Sequence, residues 1–266
     1  MVLTPNSEVS RTANIRASAS DLAAALNRAS LDKPSNPVRV LFTEDGVSIW
    51  THDLAKTVQV LVTDSQVDSL KVKEPCILLV DPGSLSQLLS TKFGNSIVKI
   101  TTEAHAPITI RDKTGNQVVF HPADEDDCFS IPDHWVLPKD ADGWFTLPMK
   151  GNEVCSTRIT IEKDQLLKGI TDMKVAGAPY VVFNFEETKS SCGSGQWGSK
   201  TNQSHSPIIA TVEGEKAEIC FTDNLADIVK KLDGGTFELQ KHTELPFVVI
   251  TGNSTTIVAT EAVREV

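Results

Sequence analysis

Four groups of residues have the types and spacing to do chemistry. Gly193-Ser194-Gly195-Gln196-Trp197-Gly198-Ser199-Lys200-Thr201 comes within one inserted residue of the phosphate-cradling pattern G-x-x-x-x-G-K-[ST]. In that pattern the lysine follows the second glycine directly, and a helix follows the loop. Here Ser199 intervenes and a strand with Pro207 follows, so no nucleotide site is expected. Cys192 and His205 could join a zinc site, but no C-x-x-C or H-x-x-x-H pair accompanies them. Asp124-Glu125-Asp126-Asp127 could hold a divalent cation, although such runs are more often solvated acidic loops. His105, His121, His134 and His242 have no nucleophile placed beside them by motif, which leaves a hydrolytic triad without support. The expectation is a protein without catalytic residues, cofactor or metal that works by binding.

Binding chemistry then rests on charge and on exposed apolar anchors. The 266 residues carry a formal charge of −10, which opposes duplex recognition unless the cations gather on one face. With 40 % hydrophobic residues and only 6 % aromatic, the composition is that of a globular protein poor in the rings that build ligand pockets. Five scattered cysteines read as reduced thiols. No run of eighteen apolar residues occurs, and the N-terminus lacks a basic start followed by an apolar stretch, so the expected location is intracellular.

Four amphipathic helices position the cations. The first is cued by Ser20 and buries Leu22, Ala25, Leu26 and Ala29; the second opens with Asp81-Pro82 and carries Leu85, Leu88 and Leu89. The third places Leu166, Leu167, Ile170 and Met173 on one side, and the fourth Leu225, Ile228, Val229 and Leu232 before Gly234-Gly235. At 3.6 residues per turn, Lys168 lies nearly opposite the Leu166/Ile170 stripe. Lys230 and Lys231 lie away from Leu225, Ile228 and Val229. Arg28 flanks the first helix's stripe and Arg16 precedes that helix. Lys92 and Lys174 sit at helix C-termini, where the macrodipole alone would justify them.

Between the helices run β-branched segments such as PVRVLFTED, GVSIWTHD, TVQVLVTD and CILLVD in the first half, and TRITIE, YVVFNFEE, PIIATVEG and KAEICFTD in the second. Each half reads strand, helix, several strands, helix and a closing three-stranded meander, the pattern of a duplicated α+β architecture. The expected division is residues 1–124, a connector over 125–150 that crosses the surface, and residues 151–266. A Gly/Ser-rich stretch over 186–206 reads as a long loop.

This order of elements, together with three local motifs, resembles the sliding clamps of the proliferating cell nuclear antigen family. The motifs are DGVSIWTHDLAKTVQVLV at 45–62, Phe129-Ser130-Ile131-Pro132, and Leu245-Pro246-Phe247-Val248-Val249 followed by Ile257-Val258-Ala259. The stretch from Pro132 to the third helix and the 186–206 segment are longer than the family's. The tail after Ala259 lacks the family's proline.

The resemblance implies a duplicated clamp half-domain fold and a ring that encircles duplex DNA as a processivity factor, with helices lining the hole. Arg16, Arg28, Lys92, Lys168, Lys174, Lys230 and Lys231 would then meet phosphates without reading bases. It also implies a groove for a clamp-binding peptide of a polymerase or other protein, lined by His52, Thr57, Phe129, Ile131, Pro132, Pro246, Ile257 and Ala259. Ring closure would pair the edge Val118-Val119-Phe120 with a neighbour's Ile208-Ile209-Ala210, giving a homotrimer placed on DNA by a clamp loader. The alternative is a relative that is not a homotrimer, such as a checkpoint-type ring subunit or a monomeric viral processivity factor.

Overall fold

The structure is a computed structural model that describes residues 9–31, 37–53, 57–103, 106–128, 137–194, 204–222 and 224–262. The chain divides into two compact units, Met1–Ile131 and Pro132–Val266.

Unit 1 runs β1 (Ala13–Ser18), α1 (Ala19–Ala29), β2 (Val38–Thr43), β3 (Gly46–His52), β4 (Val58–Asp64), β5 (Lys71–Val72), β6 (Cys76–Val80), α2 (Pro82–Lys92), β7 (Ile97–Thr102), β8 (Ile108–Arg111) and β9 (Gln117–Phe120). Unit 2 begins with a short hairpin, β10 (Thr146–Leu147) and β11 (Glu153–Val154). It continues with β12 (Thr157–Glu162), α3 (Lys163–Ala176), β13 (Tyr180–Phe185), β14 (Ser190–Ser194), β15 (Ser204–Ile208), β16 (Ala210–Gly214), β17 (Ala217–Thr222), α4 (Leu225–Lys231), β18 (Thr236–Lys241), β19 (Phe247–Thr251) and β20 (Thr255–Thr260).

The duplication is visible in the strand order. Unit 1 has one sheet in the order β5-β1-β7-β8-β9 and another in the order β4-β3-β2-β6. Unit 2 has β16-β12-β18-β19-β20 and β15-β14-β13-β17, the same two orders with every strand number raised by eleven. Pairing is antiparallel in every named ladder, as in β1 on β7 and β12 on β18. Period-2 side-chain alternation explains the faces. In β1, Ala13, Ile15 and Ala17 are buried while Asn14 and Arg16 point out.

The helices follow their apolar stripes. In α1, Leu22, Leu26 and four alanines are buried, and the small side chains leave room for α2, whose Ser86 hydroxyl donates to the Ala23 carbonyl at 2.8 Å. The cap of α1 is Ser18 and not Ser20: the Ser18 hydroxyl accepts from the Asp21 amide at 3.4 Å, so the helix begins earlier than expected. Asp81 caps α2 as expected, accepting from the Ser84 amide at 2.6 Å. In α3, Gly169 faces β13 so closely that a Cβ there would lie 2.5 Å from Phe183 Cζ. The Phe183 ring stacks on Phe185 at 5.9 Å and meets Phe221 edge-on at 6.1 Å, which makes it the centre of unit 2's aromatic core.

Two stretches differ from expectation. The Gly/Ser-rich segment contains the strand pair β14 and β15, with Cys192 opposite Ser206 and Ser194 opposite Ser204. Serine and glycine have low β-propensity, so the pattern was hidden, although Ser190, Ser191, Cys192 and Ser194 are all buried. PIIATVEG is also two elements, because the chain leaves one sheet at Ile208 and enters the other at Ala210.

The segment before β12 is more than a crossing. Phe145, Leu147 and Cys155 are buried against Phe247, Val249 and Val258. The Phe145 amide donates to Gln240 Oε1 at 2.8 Å, and the Trp144 ring lies under the Arg158 guanidinium at 4.2 Å. Arg158, Gln240, Val249 and Val258 stand in cross-strand register, so residues 143–155 cover one face of this sheet.

Strand β6 ends a sheet of unit 1, and two flanking segments close its edge. The Ile77 amide donates to Ser10 O at 3.0 Å, and the Ala123 amide donates to Leu79 O at 2.9 Å. Glu125 anchors the second of these segments through Arg11 and, at 3.0 Å, through Arg39.

Candidate functional site

Gly193 and Ser194 belong to β14, and the rest of the near-phosphate loop lies outside the described residues. Burial pushes the Cys192 thiol up from its ordinary pKa, away from the thiolate that ligates metal. Burial likewise raises Cys76 to about 11 and Cys155 to about 12. Glu125 is engaged by two arginines, and among the described residues no group of His, Cys, Asp and Glu could hold a metal ion. His242 meets Glu153 at 3.1 Å and His121 is exposed; His105 and His134 lie outside the described residues.

The helix cations are unequally divided. In unit 2, Lys168 and Lys174 are exposed on α3, and Lys230 is exposed on α4 beside the half-buried Lys231. Lys168 Nζ donates to Pro207 O at 3.0 Å, and Lys230 pairs with Asp227 at 2.8 Å. In unit 1, Lys92 stands exposed at the end of α2. Arg28 is turned to Asp64 and is engaged in a mostly buried ion pair, so it is not a free cation on the helix face. Between α1 and α2 the accessible surface is lined by Ser20, Asn27, Gln87, Ser90 and Asn95, polar but uncharged, together with Ala24.

Arg16 belongs to the sheet and not to a helix face. It lies on the outward face of β1, directly opposite Lys71 on β5 and Lys99 on β7, and Lys99 in turn faces Arg111 on β8. All four are exposed. The sequence reading missed the other three because each is one outward residue in its own strand. Only the pairing of strands far apart in sequence brings them into a row.

Of the expected peptide groove, His52 is half-buried at the end of β3, with Nδ1 at 2.6 Å from Asp53 O; Thr57 donates to Asp53 Oδ2 at 2.5 Å. Pro246 is exposed, and its carbonyl accepts from the Glu261 amide at 2.8 Å. Ile257 and Ala259 are 0 % and 1 % accessible, so they are core residues of β20 and offer no surface as they stand. Phe129, Ile131 and Pro132 lie outside the described residues.

Of the expected assembly edges, β9 ends the order of its sheet, with Val119 53 % exposed and Val118 and Phe120 half-buried. The sheet edge of unit 2 that includes Ile208 is β15, Ser204–Ile208, the counterpart of β4 and not of β9 in the duplicated order. Ile208 is its buried last residue, whereas Ile209 is 80 % exposed between strands and Ala210 opens β16. The expected second edge is therefore displaced toward the N-terminus by about one strand, because the sheet switch at Ile209 interrupts the apolar run.

No protein-family model matches the chain, and no curated protein does. Solved structures do. The beta subunit of DNA polymerase III from Thermotoga maritima superposes with a TM-score of 0.71 at 12 % identity, covering 99 % of this chain and 68 % of that one. The DNA polymerase sliding clamp from Pseudomonas aeruginosa gives 0.68 at 12 % identity, covering 98 % and 70 %. Proliferating cellular nuclear antigen from Entamoeba histolytica gives 0.67 at 10 % identity, covering 96 % and 100 %. Identities this low speak to architecture alone, and the architecture agrees from end to end: this chain has the fold of the DNA sliding clamps.

Proposed function

We propose that the chain is a sliding-clamp subunit that encircles duplex DNA and tethers a polymerase and other replication or repair proteins by binding rather than catalysis. The observation that carries this reading is the repeated strand order, matched by clamps over nearly the whole chain. The helix cations Lys92, Lys168, Lys174, Lys230 and Lys231 are the residues assigned to phosphate contacts, weak and without base readout, as sliding requires. The protein would act inside the cell, with the DNA. In duplex binding measured against salt, Lys168→Glu with Lys174→Glu is expected to lower the slope by about 1.8, from about 0.9 per phosphate contact. An unchanged slope would remove α3 from the DNA interface.

Ring closure is assigned to β9 of one chain and β15 of the next, as a homotrimer. Two features support it: both strands end their sheets, and two units span the full length of the Entamoeba chain. Light scattering is expected to give a mass near three times 28.9 kDa. A monomer at every concentration would overturn the trimer. Val119→Asp places an anion on the exposed β9 edge and is expected to weaken assembly at least tenfold, about 1.4 kcal/mol, while leaving the monomer folded. Capture of a clamp-binding peptide is assigned to His52, Thr57 and Pro246 together with the Phe129–Pro132 segment, and delivery onto DNA to a clamp loader.

A further inference from the structure

The row Lys71–Arg16–Lys99–Arg111 crosses four adjacent strands on the exposed face of unit 1's five-stranded sheet. Adjacent strands lie about 4.8 Å apart, so the row places four cations within about 14 Å. None of the four makes an ion pair with a described residue, and none of the five strands contains an Asp or a Glu, although the whole chain carries −10. Like charges directly opposite one another in a sheet repel, so the row opposes folding.

The fold does not require these cations. The same row in unit 2, read through the duplicated strand order, is Thr211, Thr160, Glu238 and Thr251. Where unit 2 carries a cation on that face, at Arg158, it is paired with Glu213 at 3.3 Å and packed on Trp144. One half of a duplicated architecture therefore neutralises and covers this face, and the other leaves it bare and positive.

We propose that this face of unit 1 is a binding surface for the phosphodiester backbone of a nucleic acid, separate from the helix faces. The surroundings of the row favour a phosphate backbone over a protein partner. Asn14, Thr101, Thr109 and Gln117 on the same face supply neutral donors of the kind that accompany Arg and Lys at phosphates. Among the described residues the face has no aromatic side chain, and its apolar members, the half-buried Ile97 and the exposed Val119, lie on different strands toward its margins and form no apolar core of the kind protein interfaces need. Without a stacking platform the contact is to backbone and carries no sequence preference.

The test uses the full chain and the variant Lys99→Gln with Arg111→Gln. A short labelled duplex and the single strand of the same sequence are titrated by fluorescence anisotropy across a salt series. Loss of two cations is expected to lower the salt slope by about 1.8 if the occupant is duplex and by about 1.4 if it is a single strand. A photo-cross-linker attached at Gln117→Cys is expected to label the same nucleic acid. The variant should keep or raise its thermal midpoint, because two repelling charges are gone, so lost binding cannot be assigned to unfolding. Equal slopes for wild type and variant, or a cross-linker that labels poly-glutamate as readily as DNA, would overturn the proposal, the second outcome naming an acidic polypeptide as the occupant. Because Lys168 and Lys174 lie in unit 2 and are tested by their own variants, failure here is distinguishable from failure of the clamp reading.

Discussion

Phe183→Ala is expected to lower stability by about 3–5 kcal/mol, measured by urea unfolding, because the ring is fully buried and touches two other rings. A control at Gly169 makes the experiment specific. A methyl at Gly169 would approach Phe183 Cζ to 2.5 Å, so Gly169→Ala alone should lose about 1–2 kcal/mol, overpacking outweighing the roughly 1 kcal/mol that alanine contributes to a helix. In the Phe183→Ala background the obstacle is gone, and the same substitution should become neutral or stabilising. The expected coupling in the double-mutant cycle is about 2 kcal/mol. Simple additivity would mean that the ring yields to the methyl, and that the close approach of α3 to β13 does not restrict residue 169.

Glu261→Ala is expected to lower stability by about 2–4 kcal/mol. Lys241, the last residue of β18, is 6 % accessible; its ammonium lies 2.6 Å from Glu261 and donates to the Leu245 carbonyl at 2.9 Å. Although the carboxylate is close, its Oε1 makes no hydrogen bond, which identifies the contact as an ion pair off the hydrogen-bonding direction. Removing the carboxylate leaves a buried ammonium compensated, among the described residues, by the Leu245 carbonyl. The 21 % exposure of the Glu261 side chain keeps the loss below that of a fully enclosed pair. Lys241→Met with Glu261→Leu, which removes both charges, should recover most of the stability. Thermal melts would separate the outcomes. A single variant as stable as wild type would show that water reaches the ammonium.

Apolar period was the legible part of this chain. Strands such as Val38–Thr43, with their β-branched alternation, and helices such as Pro82–Lys92, with an Asp-Pro start, announce themselves locally. The pair β14 and β15 did not, because the buried positions of β14 are serine and cysteine, whose burial depends on neighbours and not on composition, and β15 buries one apolar residue, Ile208, at its end. Residues 125–150 read as a connector because Phe145 and Leu147 belong to no sustained period; their burial follows from a sheet face formed nearly a hundred residues later. The helix cations were legible by angle, but Arg28 shows the limit of that method. Its direction is correct and its partner, Asp64, lies 36 residues away. For the sheet row the limit is stricter still, since no single strand holds more than one of its members.

A duplicated chain ordinarily presents each of its surfaces twice, so that a ligand able to recognise one half recognises the other. The packing of Trp144, Phe145 and Leu147 over the second unit's sheet removes one of those two addresses. Whatever binds the open face of the first unit therefore meets one copy per polypeptide, and occupancy counted per chain would read as one where the internal repeat alone would give two.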